Sequence, residues 1–149
     1  MTIYDRDGNV IATSDPPDRP FFDNMIIRNA FLSGRELEGI SFDGSDLRGS
    51  DFSGSDLYGA NLSDANFESC LFPNADLRSS FISRTSFRNA DLRGARFSLD
   101  EMGGPLSLNE VDFSNANLDG ADFTGATYDS MTVFPDGFNP EDHGLKPKS

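Results

Sequence analysis

The chain has 149 residues, 36% of them hydrophobic, with 14 Phe, no Trp and a formal net charge of −13 at neutral pH. That length suits one domain, no apolar run approaches the ~20 residues of a membrane-spanning helix, and the acidic balance argues against direct contact with nucleic acid, whose phosphates select Lys and Arg. A single Cys and a single His exclude an internal disulfide and leave no convincing Ser–His–Asp or Cys–His arrangement.

The first twenty residues stand apart. Ile3-Tyr4 and Val10-Ile11 flank Asp7-Gly8, which predicts a hairpin. No basic-then-apolar leader is present, so a cytoplasmic location is expected. Ser14-Asp15-Pro16-Pro17-Asp18 has the composition of a linker. Residues 21–32 read two ways. Phe22, Met25, Ile26 and Ala30 sit at helical spacing, with Gly34 placed to cap the end. Phe22, Ile27 and Leu32 also fall five apart. The helical reading is preferred, as a short cap beneath the repeat that follows. The resulting divisions are 1–29 (hairpin, linker and helical cap), 30–133 (repeat) and 134–149 (C-terminal cap and tail).

From residue 30 an apolar residue recurs every fifth position: Leu32, Leu37, Phe42, Leu47, Phe52, Leu57, Leu62, Phe67, Phe72, Leu77, Ile82, Phe87, Leu92 and Phe97. On an α-helix five residues advance ~500°, so the side chains would scatter around the axis. On a strand an odd period alternates faces. The chain must instead turn by a fixed angle with each unit, as a solenoid does. The slot two residues before each centre is small, mostly Ala, Ser, Thr or Cys; Arg35 and Ile40 depart from this, so regularity is expected from Phe42. Inward Ser45, Ser50, Ser55 and Ser80 need backbone partners, and Cys70 reads as a packed thiol.

Asp100-Glu101-Met102-Gly103-Gly104-Pro105 breaks the period. Threading Asp100 inward would bury an unpartnered carboxylate, so a six-residue loop extruded at a corner is expected. Units resume on Leu108, Phe113, Leu118, Phe123 and Tyr128. Met131 and Val133 extend the pattern once more, Phe134 and Phe138 are expected to fold over the last coil, and 141–149 to fray.

The units Ala60-Asn61-Leu62-Ser63-Asp64, Ala75-Asp76-Leu77-Arg78-Ser79 and Ala90-Asp91-Leu92-Arg93-Gly94 resemble the pentapeptide-repeat family, with its consensus Ala-(Asp/Asn)-Leu-x-x. The resemblance implies an all-β fold, a right-handed quadrilateral β-helix with about twenty residues per coil. About five coils, capped at both ends, are then expected. The structural core is assigned to Phe42, Leu47, Phe52, Leu57, Leu62, Phe67, Phe72, Leu77, Ile82, Phe87, Leu92, Phe97, Leu108, Phe113, Leu118 and Phe123.

No catalytic, cofactor or metal residues are assigned, and a non-enzyme is expected. Asp46, Asp51, Asp56, Asp76, Asp91, Asp112 and Asp122 share the slot before the centre, which reads as a solvated outer position rather than a calcium loop. Gly103-Gly104-Pro105 lacks the Lys-Ser/Thr of a phosphate loop. Charge is banded along the chain: −6 over 30–69, +3 over 70–99 and −8 over 100–149. Arg78, Arg84, Arg88, Arg93 and Arg96 are the candidate contact patch, with pairing to outward Asp as the alternative. The expected function is a non-catalytic protein–protein interaction or scaffold module for a protein of unknown identity. The resemblance also implies an alternative, a DNA-mimicking binder that protects a type II topoisomerase (gyrase). The acidic rod fits that idea in outline; the basic middle band opposes it. Members of the family often pair end to end through C-terminal caps, which implies a homodimer using Phe134 and Phe138. Neither membrane nor nucleic acid is an expected partner.

Overall fold

The computed structural model describes residues 1–15, 20–102, 104 and 106–148; the linker expectation at Pro16-Pro17-Asp18 lies outside the described residues. Strands β1 (Thr2–Tyr4) and β2 (Val10–Thr13) form the expected antiparallel hairpin, with Ile3 opposite Ala12. Gly8 takes φ +85 in the turn. Asp5 accepts from the N–H groups of Asp7 and Asn9, both at 2.9 Å. The hairpin docks on the repeat by an antiparallel bridge of Asp5 to Ala30 and a bond from Phe31 N–H to the Tyr4 carbonyl (2.8 Å).

The repeat begins at Phe21, not after a helix. Parallel bridges join Phe21 to Ser41, Ile26 to Asp46, Phe31 to Asp51 and Glu36 to Asp56. The helix expected over 21–32 is therefore absent: Phe22, Ile27 and Leu32 are fully buried, whereas Ile26 is 72% exposed. Burial at the five-period outweighed the helical spacing. Gly34 is a left-handed turn residue (φ +65), not a helix cap.

The register of twenty persists to the bridge of Asp76 with Arg96. A circuit thus holds four units and four sides. Side 1 carries the bridge residues Phe21, Ser41, Asn61 and Phe81, then Ser107 and Thr127. Side 2 carries Ile26, Asp46, Asn66, Ser86, Asp112 and Val133. Phe31, Asp51, Leu71, Asp91 and Asn117 lie on side 3, and Glu36, Asp56, Asp76, Arg96 and Asp122 on side 4. After the loop the register becomes twenty-six: Ser86 bridges Asp112 and Arg96 bridges Asp122. The register grows by six residues, the length of the break at 100–105; Gly103 and Pro105, on which the expected loop turn rests, lie outside the described residues.

Most units end in a tight turn. Ser50 N–H bonds the Leu47 carbonyl at 3.1 Å, and Gly49 between them has φ +74. Positive φ at the third residue is the mark of a type II turn, which favours Gly or Asn there. Where the residue before a centre is Asp or Asn, its side chain accepts the N–H two positions on, as Asp56 does from Tyr58 (2.9 Å) and Asp112 from Ser114 (2.8 Å). The solvated slot expected from the sequence is corrected here. Asp51 is only 7% exposed, and Asp46, Asp76 and Asp91 are half-buried. A short carboxylate folded over the adjacent turn sheds water while gaining backbone donors.

The centres stack along the axis. Phe52 lies parallel to Phe72 at 4.8 Å, Phe67 to Phe87 at 5.5 Å, and Phe97 to Phe123 at 4.7 Å. All sixteen residues assigned to the core are buried. The corner hydroxyls insert into the coil below. Ala30 N–H donates to Ser50 Oγ (3.0 Å), which donates to the Ile27 carbonyl (3.3 Å). Cys70 Sγ and Thr85 Oγ1 reach the Leu47 and Leu62 carbonyls in the same way, and burial pushes the Cys70 thiol up to about 12. Ser55 Oγ is buried with no partner among the described residues. Ser55→Ala is expected to leave stability unchanged or raise it, whereas Ser50→Ala should lose about 1–2 kcal/mol by chemical denaturation, because only Ser50 gives up made bonds.

The C-terminal end differs from expectation in two ways. One extra residue shifts the register to twenty-one, so Val133 bridges Asp112 and Phe134 becomes the centre, stacked on Phe113 at 5.9 Å. Through Lys148 the tail is structured rather than frayed: a 3₁₀ turn (Pro140–His143) leads to β4 (Lys146–Pro147), which pairs in parallel with β3 (Thr127–Tyr128). Leu145 is buried beneath it.

Candidate protein-interaction surfaces

The five arginines of the candidate patch do not share a face. Their register places Arg84 at the corner beyond side 1, Arg88 on side 2, Arg93 on side 3, and Arg78 and Arg96 on side 4. They form a belt, and each has a carboxylate. Arg78 chelates Asp76 and Arg93 chelates Asp91 within the same unit; Arg84 reaches Asp64 and Arg96 reaches Asp76 one coil below; Arg88 lies 3.6 Å from Asp112 above.

Folding sorts charge by side, which reading along the chain does not reveal. Side 2 stacks Arg28, Arg48 and Arg88, at intervals of twenty and forty, around Glu68. Arg28 and Arg48 both hold Asp46, at 2.6 and 2.8 Å. Counting by twenties along the sequence would have found this column. Sides 1 and 4 are acidic. Asp23, Asp43, Glu110 and Asp129 on side 1, and Glu36, Glu38, Asp56 and Asp122 on side 4, carry no ion pair among the described residues. Ser79 Oγ donates to Asp100 at 3.1 Å and Asp100 accepts Met102 N–H at 3.0 Å; Met102 is 92% exposed and lines a shallow depression with Tyr58, Arg78 and Leu99. On side 3, Arg6 of the hairpin lies 5.2 Å over the Phe31 ring and pairs with Asp51.

Arg48 holds the Asp46 carboxyl well below its ordinary 3.8, Arg93 lowers Asp91, and at Asp76 the hydrogen bonds from Arg78 outweigh the opposing effect of burial. Carboxyls depressed in the folded state add stability that is complete above the unfolded value and lost as pH falls through the folded values. The denaturation midpoint is expected to hold as pH drops toward 3.8 and to fall below it. Asp46→Asn should flatten that fall.

A β-helix with a five-residue unit, a recurrent Asp or Asn before the centre and left-handed residues in its turns defines a class of solenoid. The family model described as Pentapeptide repeats matches residues 26–64, 60–98 and 107–127, with eight copies. The chain belongs to the pentapeptide-repeat family, whose members wind as right-handed β-helices. Among solved structures it is similar to Rfr23, a pentapeptide repeat protein from the cyanobacterium Cyanothece 51142, at 24% identity over 76% of this chain and 63% of that one, with a TM-score of 0.40. It is also similar to a trypsin-treated variant of QnrB1, a plasmid-mediated fluoroquinolone resistance protein, at 20% identity over 88% and 91%, with a TM-score of 0.50. A pentapeptide repeat protein from Nostoc Pcc 7120 shares 30% identity over 89% and 88%, with a TM-score of 0.29. The chain spans 63% of the length of Rfr23, and the QnrB1 likeness bears on the fold alone. No curated protein matches the sequence.

Proposed function

We propose that the protein is a non-catalytic interaction module, a five-coil quadrilateral prism closed by the N-terminal hairpin and the C-terminal lid, that presents its acidic sides 1 and 4 to a basic protein surface. The observation that carries this reading is that eight carboxylates without an ion pair among the described residues lie on sides 1 and 4, outnumbering there the arginines of side 4, while side 2 is neutralised by its arginine column. The inward half of each unit maintains the stack, so outward positions are free to specify a partner. A photo-crosslinking residue at Asp43 or Asp56 should capture a basic protein from the source cell in a salt-sensitive manner, and one at Asn66 on side 2 should not. Equal capture from all sides, or capture indifferent to salt, would contradict it.

A second reading, a DNA-mimicking protector of gyrase, is favoured by the fold shared with QnrB1 along 88% of this chain. It is opposed by the arginines of side 2. Purified gyrase decides it: unchanged supercoiling and unchanged quinolone inhibition over a wide range of added protein retire the mimic. A homodimer through the C-terminal end belongs to the proposal as well. Phe134 and Phe138 stack on each other at 5.2 Å and are partly buried within the protomer, so pairing would use the outer surface of this lid. Light scattering that finds a monomer at high concentration removes the dimer.

A further inference from the structure

At the last coil the chain closes the edges of sides 1 and 2 itself, bonds side 4 only at its corner, and leaves side 3 open. On side 1 the tail adds a strand: Lys146 N–H donates to the Ala126 carbonyl at 2.9 Å and Lys148 N–H to the Tyr128 carbonyl at 2.8 Å. On side 2 Phe113 N–H bonds the Val133 carbonyl at 2.8 Å, and on side 4 Gly125 N–H bonds the Gly144 carbonyl at 3.1 Å. Side 3 has no such cover. One coil lower, the Ala90 carbonyl accepts from Asn117 N–H (2.9 Å), Leu92 N–H donates to the Asn117 carbonyl (2.9 Å), and Gly94 N–H donates to the Asp119 carbonyl (3.0 Å). The equivalent groups of the top coil are the Ala116 carbonyl, Leu118 N–H and Gly120 N–H. None has a partner among the described residues. They border a groove of about 590 Å³ whose far wall is Pro135 to Phe138 and His143, and Asp119 and Asp136 line it.

We propose that this groove binds an extended, lysine-bearing segment of a partner protein, added as a parallel strand along residues 116–120. An unpaired strand edge is a template for another chain. The protein shows which chemistry such an edge accepts, because Ala126 occupies the same slot on side 1 as Ala116 does on side 3, and Lys146 fills it. The segment needs an N–H for the Ala116 carbonyl and carbonyls for Leu118 and Gly120. The residue between those two carbonyls points its nitrogen away, so a proline is tolerated there as Pro147 is on side 1. Asp119 and Asp136 favour Lys over Glu in the incoming strand, and Arg93 below is already chelated by Asp91. The assignment rests on the reading of the protein as an interaction module but is separable from it, since the crosslinking test above addresses sides 1 and 4.

The test is an amide NMR titration of the full chain with a synthetic Gly-Leu-Lys-Pro-Lys peptide, the sequence of 144–148. In the free protein the amides of Leu118 and Gly120 should exchange at least about tenfold faster than those of Leu92 and Gly94. On titration they should shift and slow. The double variant Asp119→Lys, Asp136→Lys should bind about tenfold or more weakly, as should a peptide with Glu in place of Lys. Slow exchange at Leu118 in the free protein, shifts confined to 127–128, equal binding of the Glu peptide, or no shift up to millimolar peptide would each overturn the proposal.

Discussion

Phe72→Ala is expected to destabilise the protein by about 3–5 kcal/mol, the range for emptying a buried aromatic site that cannot collapse. Phe72 is fully buried. Its ring lies at 2° to Phe52 and meets Phe67 and Phe87 edge-on at 5.3 and 5.4 Å. The coils above and below are fixed by backbone ladders, so the neighbours have little freedom to close over the hole. Phe81→Ala is the matched control. Phe81 occupies an outward slot at 64% exposure, and its loss should change stability by no more than about 0.5 kcal/mol. Urea denaturation of both variants checks the pair, and a Phe72 effect below about 1 kcal/mol would mean that the ring is not in the stack.

Asp51→Ala is expected to cost about 2–3 kcal/mol, well above the small change that an outer solvated slot would show. Its carboxylate accepts Ser53 N–H at 2.9 Å and Ser53 Oγ–H at 2.6 Å and pairs with Arg6. Removal leaves a turn N–H without an acceptor and unpins the hairpin. The exposed Arg6 supplies the smaller part, since such pairs are worth little. Arg6→Ala should therefore cost under about 1 kcal/mol, and the double variant should fall short of the sum because the two share one interaction. Asp122→Ala, at an exposed position, should cost less than Asp51→Ala. Urea midpoints for the four variants measure all of this, and equal effects at Asp51 and Asp122 would contradict the account.

The solenoid was legible because one physical demand, burial every fifth residue, fixes which side chains face inward. The same demand places Phe22, Ile27 and Leu32 in the first coil, but Met25, Ile26 and Ala30 gave that stretch a competing helical spacing. Local pattern cannot arbitrate between two periods when only one coil is present; the ladder to Ser41 and Asp46 does. The size of the extruded loop was legible from the interval between Phe97 and Leu108. The ordered tail was not, because Lys146-Pro147 has no strand propensity and is held by an edge that exists only after folding. The surface was the least legible part. The arginines of 70–99 form a band in sequence but a belt in space, and the column of Arg28, Arg48 and Arg88 appears only when residues are aligned by coil. The role of Asp51 was hidden because the hairpin that covers it lies forty-five positions away.

Backbone contacts across the loop test the winding most directly. In a through-space NMR spectrum, Asp76 should contact Arg96 at an interval of twenty, and Ser86 should contact Asp112 at an interval of twenty-six, with no helical contacts over 21–32. Contacts of Ser86 with Leu106, or of residues three and four apart through 21–32, would contradict it.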